Sequence, residues 1–246
     1  MSDLEAIRGE AERRGISRLA HFTPLRNLVH IATSDDGLLS TKALTEEERS
    51  AFNPQDLERL DGFPDHISCS IEYPNAYYLR RKRKDARGEE RIFPDWVCLL
   101  IASSHLWRDS TLLCPHNAAG RRGVDVGSGI ECFKSLFAEE VDAPQRVWTR
   151  ERQPLCCPTD AQAEVLVHRQ IPPRDILGIA VESEAQAGNT YAVLRQLEAP
   201  VEELPILICP DFYSPTTLAL GLQANRRPVE RDWHPEVHAG GEASDG

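Results

Sequence analysis

Residues 95–103 read Asp-Trp-Val-Cys-Leu-Leu-Ile-Ala-Ser, and within them Trp96 to Ala102 is the longest apolar run in the chain. Such a run, bounded by polar residues, reads as a strand buried on both faces. It is far short of the roughly 20 residues needed to span a bilayer. A strand hidden on both faces sits inside a sheet, so other strands must flank it. Candidates are 17–22 (SRLAHF), 67–72 (ISCSIE), 111–114, 162–168 (QAEVLVH), 175–182 (DILGIAVE) and 205–209 (PILIC).

Helical signals fall between these strands without regular alternation. Leu4, Ile7 and Ala11 share one face over 3–14, with Gly15 as the stop. Thr23 and Pro24 predict a second helix, Thr23 as its N-cap and Pro24 in its first turn, with Leu25, Leu28 and Val29 apolar. Asp36-Gly37 predicts a turn. Thr45 with Glu48 is a capping-box pattern, and Pro54 opens a further helix carrying Leu57, Arg59 and Leu60. Pro74 precedes a helix through Tyr77, Tyr78 and a basic block, and another is expected from Glu184 to Leu197. The stretches 115–130 and 149–161 read as polar loops. This irregular order predicts an α+β fold over a doubly wound sheet. One domain is expected over 1–233, and 234–246 has too little apolar content to pack and is expected to be disordered.

Composition narrows the function. The chain has 246 residues, 41% apolar and 27% charged, enough for a full core without staples. Its net charge of -11 argues against a general electrostatic grip on nucleic acid or anionic lipid. Basic residues are clustered, however: Arg80, Arg81, Lys82, Arg83, Lys84 and Arg87 form one block, and Arg146, Arg150 and Arg152 a second. Seven cysteines with no CxxC spacing read as reduced thiols of a cytoplasmic protein. Cys114-Pro-His116 lacks further ligands nearby, so no metal is expected. The first thirty residues carry Glu5, Glu10 and Glu12 and no apolar core, so neither a secretory leader nor a membrane segment is expected.

Three places carry chemistry. His21 and Thr23 end a strand where a helix is expected to begin, a geometry suited to hydrogen-bonding a ligand. Glu164 lies within a predicted strand, where a carboxylate is costly unless partnered or solvated. Arg59 lies on the predicted amphipathic helix.

In that order and spacing these segments resemble the DarT-type DNA ADP-ribosyltransferases. The similar stretches are His21-Phe-Thr-Pro-Leu-Arg-Asn-Leu28 with Gly37-Leu-Leu-Ser40, and Gln162-Ala-Glu-Val-Leu-Val167 followed by Ile171-Pro-Pro and Ile176. The likeness covers about 18–60 and 155–182; the middle, around Ser70-Ile-Glu-Tyr-Pro-Asn75, departs from it. The resemblance implies an ADP-ribosyltransferase-like split, mostly antiparallel β-sheet with flanking helices. It implies NAD as the substrate, a nucleobase in single-stranded DNA as the acceptor, and a toxin paired with a macrodomain antitoxin. Glu164 matches the family's catalytic glutamate, and the segment before it the one that presents the acceptor. His21, Phe22, Thr23, Asn27 and Leu38 match the NAD-binding positions. Arg59 matches the functional arginine, with Arg49 as its rival. Such an arginine serves as an electrostatic or hydrogen-bonding group, since guanidinium stays protonated. Gln162, two positions before Glu164, fits acceptors other than arginine.

Other readings compete. They are a protein or RNA acceptor, a non-catalytic nucleotide-binding module, a glycosidase using Glu139 and Glu140 in a predicted helix, and a cysteine nucleophile at Cys156 or Cys157 near His168. The basic helix is expected to track the DNA backbone, with Tyr77 or Tyr78 stacking a base.

Overall fold

The computed structural model describes residues 2–44, 59–83, 95–197 and 204–235. The apolar run Trp96–Ala102 is strand β4, in the middle of an eight-stranded sheet. On one side β1, Arg18–Pro24, pairs with it antiparallel from Arg18 opposite Ala102 to Pro24 opposite Trp96. Beyond β1 lie β3 (His66–Ile71), β8 (Glu164–His168) and β5 (Leu112–Cys114), all antiparallel. On the other side lie β10 (Ile176–Val181), β11 (Ile206–Ile208) and β12 (Arg231–Trp233). Among the described strands only β10 and β11 pair parallel, and helix α5 (Glu184–Gln196) lies in the crossover that parallel pairing requires.

The sheet is split. β1 and β3 share only two residue pairs, Leu19 with Ile71 and Ala20 with Ser70, and then part. The strands beyond that point leave backbone groups to be satisfied by something other than a ladder. His21 does this: its Nδ1 donates to the Ser68 carbonyl at 2.8 Å. A cleft opens along this divide.

Helix α1 (Asp3–Arg14) has the predicted face, with Ile7 and Ala11 buried. Ser2 and Glu5 close a capping box, and Gly15 ends it at φ 71°, a conformation glycine adopts without strain. It packs against α4 (Gly129–Ser135). The short pair β2 (Leu38–Leu39) and β9 (Gln170–Ile171) holds the segment after α2 (Leu28–Thr33). Gly37 (φ 69°) turns into it so tightly that a Cβ there would lie 2.4 Å from the Ile171 carbonyl oxygen.

Several expectations are corrected. Thr23 caps no helix: β1 continues through Pro24 because Val97 and Trp96 of β4 pair with Thr23 and Pro24. A one-turn 3-10 segment, Leu25–Asn27, follows before α2. Arg59 lies in a coil segment leading into a turn, not on a helix; the helices expected from Thr45 and Pro54 fall outside the described residues, as does Arg49. The 115–130 loop contains a 3-10 turn, Ala118–Arg121, and runs into α4. Glu140 begins β6 (Glu140–Ala143), which forms a hairpin with β7 (Arg146–Thr149), where a helix was expected. Alternation up to Ala143 and the turn at Pro144-Gln145 favour the hairpin. A further helix, α6 (Pro215–Gln223), is capped by Ser214 and has Pro215 in its first turn. β8 starts at Glu164, so Gln162 lies in the preceding turn. Residues 236–246 of the expected disordered tail lie outside the described residues.

Candidate active site

The cleft at the split is about 330 Å³ in volume. Its lining includes His21, Phe22, Thr23, Asn27, Leu38, Arg59 and Glu164. The structure thus brings every site residue expected from the sequence to one place. They come from β1, the turn after it, β2, the coil before β3, and β8.

Glu164 is 7% exposed. Its Oε2 accepts the Ser68 hydroxyl at 2.5 Å, and its Oε1 accepts Asn117 Nδ2 at 2.9 Å and the Ala118 backbone N–H at 3.2 Å. Burial raises its pKa above the ordinary carboxylate value, and this outweighs the donors from Ser68 and Ala118 and the nearby charge of Arg59, while Asp61 adds to the rise. A carboxylate so held cannot swing away, and solvent screens it poorly.

His21 is neutral. Burial depresses its pKa, and the Ser68 carbonyl opposes this only in part. Since Nδ1 donates to that carbonyl, Nε2 is left as an acceptor. Thr23 is buried, and its Oγ1 accepts Asn27 Nδ2 at 3.0 Å, which leaves its hydroxyl hydrogen to give. Leu38 is held by pairing with Ile171.

Arg59 is fixed by Asp61. Its Nε and Nη2 donate to the two carboxylate oxygens at 3.2 and 2.5 Å, and its Nη1 donates to the His66 carbonyl at 2.6 Å. Burial alone would push Asp61 up, but these bonds and the Phe63 N–H hold its pKa below the usual range. Arg59 is therefore a fixed cation with a forked partner.

Sequence reasoning missed Ser68, Asn117 and Asp61. Each is a common polar residue in a segment without a motif, and only the fold aims it. Ser40 Oγ is buried beside the cleft with no partner among the described residues.

The basic regions divide. On α3 (Ala76–Arg83), Arg81, Lys82 and Tyr78 line the cleft itself, while Arg83 pairs with Glu182 at 2.7 Å and lies over the Tyr213 ring. Lys84 and Arg87 lie outside the described residues. Arg150 is committed to the protein: it donates to the carbonyls of Cys157 and Pro154 at 2.9 and 3.1 Å and clips the loop before Glu164. Arg146 and Arg152 are exposed. The cysteine reading finds no support in the geometry. Cys156 and Cys157 face each other, Sγ to Sγ 3.9 Å, and the His168 ring lies against His66 across β3 and β8.

Comparison with known proteins accords with this geometry. No curated protein matches the chain. Among solved structures, DarT from Thermus sp. 2.9 in complex with NAD+ aligns with a TM-score of 0.52 at 18% identity, covering 80% of this chain and 97% of that one. The same organism's DarT in complex with ADP-ribosylated ssDNA gives 0.54 at 17% identity over 81% and 97%. Its complex with carba-NAD+ gives 0.51 at 19% identity over 80% and 97%. At such identities the likeness is one of fold. The family model described as "ssDNA thymidine ADP-ribosyltransferase, DarT" matches residues 20–214, most of the chain and all the residues that line the cleft. The chain belongs to the DarT family of single-stranded-DNA thymidine ADP-ribosyltransferases.

Proposed function

We propose that Glu164 drives transfer of ADP-ribose from NAD to thymidine in single-stranded DNA. One observation carries this reading: a buried, triply hydrogen-bonded carboxylate shares a cleft with the neutral acceptor of His21 and the fixed cation of Arg59.

Cleavage of the bond between nicotinamide and ribose sends the bonding electrons to nicotinamide and leaves positive charge on the ribose. Glu164 stabilises that charge more than the neutral ribose, so it lowers the barrier rather than merely binding substrate. His21 Nε2 and the Thr23 hydroxyl hold the nicotinamide-side ribose and carboxamide. Phe22, Asn27 and Leu38 shape the same part of the cleft. Arg81 and Lys82, on its rim, place positive charge where a dinucleotide carries its pyrophosphate. Arg59 orients the acceptor base or the pyrophosphate. The thymine atom that attacks forms its bond to the ribose carbon as nicotinamide leaves, and its proton passes to solvent.

The described core is one contiguous cluster, which supports a single domain over 1–233. No described helix is long and apolar enough to cross a membrane, and the cysteines are free thiols, which supports a cytoplasmic setting. Family membership supports a toxin role with a macrodomain antitoxin. Mass spectrometry of a thymidine-containing oligonucleotide incubated with NAD tests the central reading. A mass gain equal to ADP-ribose on thymidine is expected. Release of nicotinamide without modified DNA would refute it.

A further inference from the structure

We propose that a second pocket beside the cleft takes one unpaired nucleobase next to the acceptor thymidine, so that it selects which thymidines are modified. This rests on the single-stranded DNA reading and adds a specificity site to it.

The pocket is about 50 Å³, too small to enclose a base but enough to admit the edge of one stacked at its mouth. Tyr73, Tyr77 and Trp148 contribute aromatic walls, and Leu218 and Leu222 of α6 contribute an apolar one. It adjoins the cleft: Ser70 on β3 lines both, and successive residues of α3 divide between them, Tyr77 on this pocket and Tyr78 on the cleft. Thr159, Ala161 and Ala163, in the segment leading to Glu164, complete its wall. A strand that delivers one base to Glu164 has its neighbour within reach of this pocket.

Charge supports the same occupant. Each of two aromatic walls carries an arginine on its ring: Arg146 lies 3.2 Å over Trp148 and Arg80 5.5 Å over Tyr77. Both arginines are exposed, and so is Arg152, next to the lining residue Gln153. Aromatic faces for bases with guanidinium groups for phosphates is the pattern that holds single strands. The Gln153 Oε1 accepts the Glu151 backbone N–H at 2.6 Å, which aims its Nε2 as a donor, and the Gln223 amide supplies a donor and an acceptor for a base edge.

The experiment uses the full chain, NAD and short oligonucleotides with one thymidine, in which each flanking nucleotide in turn is made abasic. Removing the base that fills the pocket is expected to weaken DNA binding roughly ten- to a hundredfold, the usual range for one stacked base, with the NAD KM unchanged. Trp148→Ala and Tyr77→Ala should show the same loss on the intact strand and no further loss on the abasic one. Trp148→Phe should restore most of it, which a merely unfolded variant would not allow. Binding is read by anisotropy of a labelled strand, separately from transfer. Equal binding of intact and abasic strands at every position would overturn the pocket, as would variants that weaken both strands alike. Absence of transfer to any strand would instead refute the proposed reaction and leave the binding result to decide the pocket.

Discussion

Glu164→Gln isolates charge from shape. The glutamine fits the existing partners: its Oε1 accepts from Asn117 and Ala118, and the Ser68 hydroxyl can turn to accept from its Nε2. What is lost is one negative charge beside the reacting ribose. Two unit charges about 4 Å apart at an effective dielectric of about 20 attract by about 4 kcal/mol, or roughly a thousandfold in rate. Transfer to a thymidine oligonucleotide should fall by that order, while NAD affinity, measured calorimetrically, changes little. Stability should move the other way. Burial raises the Glu164 pKa, so ionising it costs folding free energy, and that cost grows as pH rises from the unfolded value of 4.5 through the folded one. The glutamine variant should therefore melt higher than the parent at pH 7, and the difference should vanish below pH 4.5. A variant that keeps transfer within tenfold of the parent would refute the electrostatic role. One that melts lower at pH 7 would refute the argument from burial.

Asp61→Asn should loosen the Arg59 fork and lower transfer about tenfold or more while the protein stays folded, measured by steady-state rates beside a melting curve. Asn117→Ala removes one donor from Glu164 Oε1, so the acid limb of the pH–rate profile should move up. Asp160 has a buried Oδ2 with no hydrogen-bond partner among the described residues, and burial pushes its pKa up to about 6. Its rise from 3.8 means that folding stability falls by about 3 kcal/mol as pH climbs through that window, and Asp160→Asn should flatten this slope in denaturant titrations at pH 3.5 to 6.5. Leu99→Ala, in the most buried strand, should cost about 2–5 kcal/mol without altering NAD affinity per folded molecule.

Local pattern was enough to place β1, β3, β4, β5, β8, β10 and β11 and to single out candidate site residues. Trp96–Ala102 is apolar throughout, and a strand covered on both faces can be nothing else. His21, Thr23 and Glu164 were legible because each stands in a segment whose order and spacing carry the family likeness. Local signals failed where a partner outbid them. Thr23 and Pro24 read as a helix start, but β4 offered their backbone a ladder. The hairpin at 140–149 and helix α6 are short or weakly patterned, so their alternation and caps were easily passed over. Where the sheet parts is set by long-range packing. After Ala20 and Ser70 the backbones diverge, a side chain takes over the hydrogen bond, and a cleft appears that no periodicity encodes. The same packing brought Ser68 and Asn117 onto one carboxylate from points 96 and 47 residues distant in sequence, and set Asp61 on Arg59. Contacts of that range depend on how strands stack into a sheet, and the sequence near each residue contains no record of its partner.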